Sequence, residues 1–549
     1  MPVRIAIGMA VTVIALAIAG RRFYWLSRLI RSGAPAPDRT RGSFRPRAEA
    51  ELTEVAGQRK LLKWTVPGTA HFFTMWGFTI LLLTIIEAYG ALFQRSFHIP
   101  LIGRWEFIGF VEDFFAVAVL LALVTFTVIR LRNAPSRRQR ESRFYGSHTG
   151  AAWLVLLFIF GVIATLLLYR AAQVNTGHFP YGWGAFASHG LAKALAPLGT
   201  GVNSVLETVF LVLNVAVIVS FLVFVSYSKH LHIFMAPINV AFSRRPRALG
   251  ALDKTPDMDM ENVTEDTVFG VGLVEQFTWK QMLDFATCTE CGRCQSVCPA
   301  WNTGKPLSPK MVIMDLRDNM FASSGRLLNK SVAVDDDSPS AHERQVEAAA
   351  EEAKTLVPFT IDPDVLWSCT TCGACVEQCP VDIEHVDAIV DMRRYEVLME
   401  SRFPTEGGLM LRNIENQGDP WGQGGSKRTE WTDVLDFEVP VVSGTIPDDV
   451  EYLYWVGCAG ALDDRGRKQA QATARMLHRA GVTFAILGPQ EACTGDPARR
   501  FGNEYLFQEM AKANIATLNE AGAKKIVATC PHCFNTIKNE YPALGATSR

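Results

Sequence analysis

No charge of one sign dominates this 549-residue chain: 54 Lys and Arg stand against 55 Asp and Glu, a formal net charge of −1. A nucleic-acid partner calls for a basic excess, and none exists here. Cysteine is missing from everything before Cys288. None is left over after it either: of twelve thiols, eight lie in two runs of four, and Cys458, Cys493, Cys530 and Cys533 form one further set. A chain of this length has room for three or more domains.

Each run reads C-x2-C-x2-C-x3-C-P, as "CTECGRCQSVCP" from Cys288 and "CTTCGACVEQCP" from Cys369. That spacing lets three thiolates grip one 4Fe–4S cluster while the fourth cysteine, before the proline, ligates the other cluster. One cluster then takes Cys288, Cys291, Cys294 and Cys379, and the other takes Cys369, Cys372, Cys375 and Cys298. The competing readings are structural zinc, which prefers paired C-x2-C knuckles, and disulfides, which need an oxidising compartment. Cluster assembly on reduced thiols places this half in the cytoplasm.

The first 240 residues are built differently. Apolar runs near the twenty-residue spanning length lie at about 70–93, 106–130, 151–172 and 204–228, after a shorter one, "IAIGMAVTVIALAIAG", at the start. Ala17-Ile18-Ala19 resembles a signal-peptidase site. Yet residues 21–63 carry eleven Lys/Arg and four Asp/Glu, a segment that stays inside, so the first run is read as a span with its N-terminus outside. The basic loop "RLRNAPSRRQRESR" is inside, the loops at 94–105 and 173–203 are outside, and "SRRPR" returns the chain to the cytoplasm. The protein is expected in the cell membrane.

Histidines sit at one depth on the second and fifth spans: His71 opens "HFFTMWGF", and His230 and His232 lie in "SKHLHIFMAP". Two neutral imidazoles on facing helices suit a b haem; the bland alternative is wet interfacial histidine. Five spans ending in "HIFMAP" resemble the haem-b (gamma) subunit of respiratory nitrate reductase and its relatives among the heterodisulfide reductases. The resemblance implies His71 and His232 as haem ligands, with His230 the competing choice. It also implies an outer haem held by deeper histidines, but residues 72–93 and 204–228 contain none, so one haem is expected. His98, His178 and His189 lie in outer segments. Glu87, Glu112, Asp113 and Glu207 gather at the outer end, and Glu87 and Glu207 are candidates for protonating a quinone; ordinary interfacial carboxylates are the alternative. Glu87 lies roughly 24 Å along the helix from His71, so a quinone pocket beside an inner haem is simpler.

Residues 241–275 read as a polar linker, 276–400 as a helical two-cluster ferredoxin-like domain with an inserted helix around "HERQVEAAAEEAK", and 401–450 as a second linker containing a glycine-rich connector. From 451 the pattern becomes α/β, with strands in "EYLYWVGC", "VTFAILG" and "KKIVATC" and two glycine-terminated helices between them. A parallel sheet follows, and the last four cysteines fall at the carboxyl ends of its strands, where such sheets bind ligands. They form a candidate third 4Fe–4S site, with four-cysteine zinc or unrelated core thiols as alternatives.

This set resembles the cysteine-rich "CCG" domain of heterodisulfide reductases and related iron–sulfur proteins, except that "EACTGD" puts Ala492 where that family has its first paired cysteine. The missing thiolate argues against heterodisulfide chemistry. The family pattern also implies a second such domain, and the chain ends a few residues past Cys533, so truncation or a separate subunit is expected. Along its whole length the chain resembles the actinobacterial membrane iron–sulfur reductases. That resemblance implies electron transfer from electron-transfer flavoprotein to menaquinone. The rivals are a thiol–disulfide reductase and a non-catalytic electron-transfer subunit.

Overall fold

The structure, a computed structural model, describes residues 2–245, 250–258, 263–264, 267–333 and 354–545. The helix expected around 342–353 lies outside the described residues.

Five helices are long and apolar enough to cross a membrane. They are α1 (Pro2–Arg31), α2 (Thr65–Phe93, with a break at Leu81), α3 (Glu106–Arg132), α4 (Thr149–Thr176) and α5 (Gly199–Ser226). The first is longer than its apolar run because the basic segment through Arg31 continues the same helix. Small residues let α2 and α3 approach: Ala88, Ala91 and Ala116 are fully buried with Leu92, Val119, Leu166 and Leu211. With lipid outside, the remaining apolar side chains can face outward at no cost.

The helical cysteine domain sits against one end of this bundle. Leu26 and Leu29 of α1 share a core with Phe277, Phe285, Ile313 and Ile389. The two cysteine runs repeat one backbone shape. Glu290 and Thr371 take φ of 54° and 53°, and Gly292 and Gly373 take 75° and 73°. Each glycine opens a short helix, Arg293–Ser296 or Ala374–Gln378. A Cβ at Gly292 would run into the Arg143 carbonyl.

The segment read as the first linker has no helix between 242 and 273 among the described residues, yet it is no free tether. Arg244 pairs with Asp387 at 3.1 Å, and Gln508 donates to the Pro256 carbonyl at 2.9 Å. The second linker is also folded, with a helix at Thr405–Gln417 and a 3-10 turn at Gly425–Thr432.

The last domain holds three short parallel strands, β1 (Tyr452–Trp455), β2 (Phe484–Ala485) and β3 (Ile526–Ala528), in the order β2-β1-β3. Leu453 pairs with both Ala485 and Ile526. Alternate residues of β1 and the one after it serve opposite cores: Leu453 and Trp455 pack with Phe507 and Ala511, while Tyr454 and Val456 pack with Ala470 and Ala474. A sheet covered on both faces needs an unbroken apolar strand, and "YLYWV" provides it. The strands are shorter than the sequence pattern suggested, and Cys458 lies just inside the helix Gly457–Leu462.

Candidate metal centres and membrane sites

The eight thiols of the two runs converge in two crossed groups. Burial pushes Cys379 up to about 12, and the Cys291 thiol of the other run adds to that. Burial also raises Cys298, where Cys372 of the second run adds to the effect, and raises Cys375, whose neighbours are Cys369, Cys372 and Cys298. Backbone amides aim at the sulfurs: Thr371 donates to Cys369 Sγ at 3.3 Å, and Ile383 to Cys379 Sγ at 3.4 Å. Burial and crowding disfavour free thiolates here, so without a group bound the thiols hold their protons; the positive charge of a cluster's iron would offset that cost and let them ligate as thiolates. Among the described residues, no three His, Cys, Asp or Glu side chains converge tightly enough for a single ion.

The last four cysteines come from separate strand ends. Cys458 follows β1, Cys493 follows β2, and Cys530 and Cys533 follow β3. Cys533 donates to Cys530, which falls to about 6, and Cys493 donates to Cys458, which is also lowered. A Cβ on Gly457 would lie 3.2 Å from Cys533 Sγ, so the first and last members of the set are close neighbours. Sequence reasoning missed Arg428, from the supposed linker. It is almost fully buried and donates to Cys458 Sγ at 3.0 Å and to Glu491 at 3.0 Å. Glu491 in turn accepts from the Val456 and Gly457 amides at 3.0 and 2.8 Å. Nothing in the glycine-rich pattern of that loop signalled this.

Short contacts join the three sets. Arg393 donates to the Cys369 carbonyl at 2.8 Å and to the Arg500 carbonyl at 2.9 Å. Beside it, the Trp367 ring lies 4.8 Å from that of Phe501, tilted by 34°, and shares a cluster with Cys458 and Cys493. On the other side, Lys60 donates to the Cys379 carbonyl at 3.2 Å, and Lys229 pairs with Glu290 at 3.1 Å, between Cys288 and Cys291.

Lys229 precedes the histidines. The rings of His71 and His232 lie 6.5 Å apart between centroids, tilted by 37°. His71 Nδ1 donates to Gln58 Oε1 at 2.9 Å, and His232 Nδ1 donates to the Lys229 carbonyl at 3.2 Å. Each Nδ1 is thus committed to a protein acceptor, which leaves each Nε2 as a free lone pair, the arrangement of a metal-ligating histidine. Two metal–nitrogen bonds of about 2.0 Å, plus the offset from nitrogen to ring centre, put bis-ligating centroids about 6 Å apart. The pair fits a haem iron. His230 differs: its Nδ1 is buried with no partner, so its tautomer is not fixed.

The opposite end of the bundle is a network of ion pairs. Arg170 of α4, a charge inside an apolar run, is fully buried and pairs with Glu87 at 3.1 Å, with Asp113 at 3.1 Å and with Glu112. Sequence reasoning missed it. Asp113 also accepts from the Ser188 amide at 2.7 Å. Glu207 does not join this group. It accepts from Thr176 at 2.8 Å and from His178 at 3.0 Å. His98 and His189 hydrogen-bond to backbone carbonyls, those of Ser96 and Tyr181. The four outer carboxylates therefore form two sites, one gathered on Arg170 and the other on Thr176 and His178.

Residues 287–383 match the model of the 4Fe-4S dicluster domain, and residues 452–538 match that of the Cysteine-rich domain, CCG. The chain is 36% identical to the probable iron-sulfur-binding oxidoreductase FadF of Bacillus subtilis, over 91% of this chain and 72% of the relative. It is 32% identical to the EtfAB:quinone oxidoreductase of Syntrophomonas wolfei, over 89% of this chain and 68% of that one. The chain belongs to this family of membrane iron–sulfur oxidoreductases. The family is related to heterodisulfide reductase: one chain of the dihydromethanophenazine:CoB–CoM heterodisulfide reductase of Methanosarcina barkeri is 28% identical over 53% of this chain and 62% of its own length. No solved structure matches. This oxidoreductase is accordingly a multi-pass membrane protein that carries 4Fe–4S clusters.

Proposed function

We propose that this oxidoreductase takes electrons from a cytoplasmic flavoprotein, electron-transfer flavoprotein by resemblance, and delivers them to menaquinone. In this reading the N-terminus is outside and the cysteine domains are cytoplasmic. Two clusters use the crossed ligand sets Cys288/Cys291/Cys294/Cys379 and Cys369/Cys372/Cys375/Cys298. The third uses Cys458/Cys493/Cys530/Cys533, and b haem uses His71 and His232. When bound, these groups supply one-electron carriers that join a two-electron flavin to a two-electron quinone.

The observation that carries the reading is spatial order. Cys530 is partly exposed on the last domain, and Trp367, Phe501 and Arg393 lead from that set to Cys369. The crossed cysteines join the two ferredoxin-type sites, and Lys229 with Glu290 joins the first of them to the histidine pair. Buried thiols, amide donors and packed aromatics keep water from this line. Reducing the quinone consumes two electrons and two protons. Our reading places that step near the inner histidines rather than at Glu87, which is already occupied by Arg170.

Stopped-flow mixing with reduced electron-transfer flavoprotein tests the order. Iron–sulfur absorbance should bleach first, haem should reduce next, and a menaquinone analogue should reoxidise the haem. Robust disulfide turnover with no response to any flavoprotein would overturn the reading in favour of the thiol–disulfide rival. Ala492, in place of a thiol beside Cys493, speaks against that rival.

A further inference from the structure

At the end of the bundle away from the cysteine domains, a groove of about 980 Å³ opens between α1, the end of α2 and α5. Its floor is apolar: Ile7 of α1 faces Val209, Val212, Leu213 and Ala216 of α5, and Val209 and Leu213 are about half exposed. Its head is cationic, for Arg4 and Arg95 line it.

Arg4 is only 7% exposed. Its donors reach two neutral acceptors, the carbonyls of Leu92 at 2.8 Å and Phe93 at 3.4 Å, and among the described residues it makes no ion pair. The nearby carboxylate, Glu207, is taken by His178 and Thr176 and lies 3.8 Å from Arg95. Two guanidiniums therefore share one carboxylate. A buried cation with only a share of one carboxylate is costly, and more so at membrane depth, so this site favours a further anion.

We propose that the groove binds one anionic phospholipid, with its phosphate on Arg4 and an acyl chain along Val209, Val212, Leu213 and Ala216. The bilayer supplies both halves of such a ligand at the place where the groove opens. A neutral quinone could fill the apolar floor but would leave the charge of Arg4 unbalanced.

Native mass spectrometry of the cluster-loaded protein, taken from nanodiscs of phosphatidylcholine with or without phosphatidylglycerol, tests this. Wild-type protein should retain one phosphatidylglycerol in preference to phosphatidylcholine. Arg4→Gln should lower that retention about fivefold, the worth of one guanidinium at a lipid surface, and Arg4→Lys should restore most of it. Lys193→Gln, at the same end but outside the groove, should have no effect. Should Arg4→Gln fail to fold, judged by iron content and melting, Leu213→Trp decides, since it fills the floor and should expel the lipid. Equal retention of both lipids, retention unchanged by either folded variant, or loss of a co-purified quinone with the lipid unchanged would overturn the proposal.

Discussion

At the end of the bundle nearest the cysteine domains, His71 and His232 each fix one ring nitrogen on a protein acceptor and leave the other open. At the far end, Arg170 draws Glu87, Glu112 and Asp113 onto itself, and Asp113 is held again by Ser188. Both are groups of polar side chains packed inside spans that lipid surrounds. The difference lies in what completes them. The far group is held together by Arg170, with Glu112 Oε1 alone left unpaired among its hydrogen-bonding atoms, and the near group is two imidazoles whose ring centres lie 6.5 Å apart. Burial of polar groups in a membrane is thus no sign of function by itself; a facing pair of imidazoles, each oriented by a second hydrogen bond, is the stronger one.

The sharpest way to break the comparison is to remove a ligand. His71→Ala or His232→Ala should abolish the reduced-minus-oxidised b-haem spectrum while iron–sulfur EPR signals persist; His230→Ala should leave the spectrum in place. A full haem spectrum in the His71 variant would refute the proposed site.

Next in size is the far end. Arg170→Leu strands three buried carboxyls and should cost about 3–5 kcal/mol, read as loss of folded protein in detergent melting. Glu87→Gln, which keeps Arg170 paired with Glu112 and Asp113, should cost far less and leave quinone reduction near wild type. A severe loss of quinone reduction in well-folded Glu87→Gln protein would instead make this end a proton donor.

Outside the membrane the same logic becomes pH-dependent. Burial alone would raise Glu504, but Arg394 at 2.9 Å, Arg499 and the Thr255 hydroxyl outweigh it and bring it from 4.5 to about 2. A depressed carboxylate stabilises the fold fully above its unfolded pKa, near 4.5, and loses that contribution as pH falls through about 2. This latch between the ferredoxin-like helix His385–Leu398 and the last domain should therefore contribute on the order of 3 kcal/mol at neutral pH. Urea melts of the detergent-solubilised protein, stepped from pH 6 to pH 3, should show the decline, and Glu504→Gln should flatten it.

The smallest effect concerns tuning. A buried guanidinium that donates to Cys458 Sγ favours the more reduced, more negative state of a cluster held there. Arg428→Met should lower the midpoint potential of the third cluster in an EPR titration without altering the signals of the other two. An unchanged potential would leave Arg428 as a purely structural partner of Glu491.

Much of this site was legible because its chemistry is local in the chain. The C-x2-C-x2-C-x3-C-P spacing keeps three thiols within seven residues of chain, and Gly292 and Gly373 supply the left-handed residues that bend needs. Apolar runs announced five spans, and an unbroken "YLYWV" announced a strand buried on both faces. Arg170 was in plain view as a charge inside an apolar run, but its partners come from other helices, and no periodicity reveals them. The contacts of the two linker segments were hidden for a related reason: polar, aperiodic sequence carries no record of the surface it packs against.

By itself, then, the sequence determined the spans, the thiol inventory and the depth at which histidines occur, since each follows from residue type and spacing along one chain. Only the tertiary structure set the His232 ring beside His71, brought Arg428 to Cys458 and separated Glu207 from Glu87. Each of those depends on which carbonyl, thiol or cation a distant segment presents. A hydrogen bond falls off within an ångström, so only the packed fold can set it.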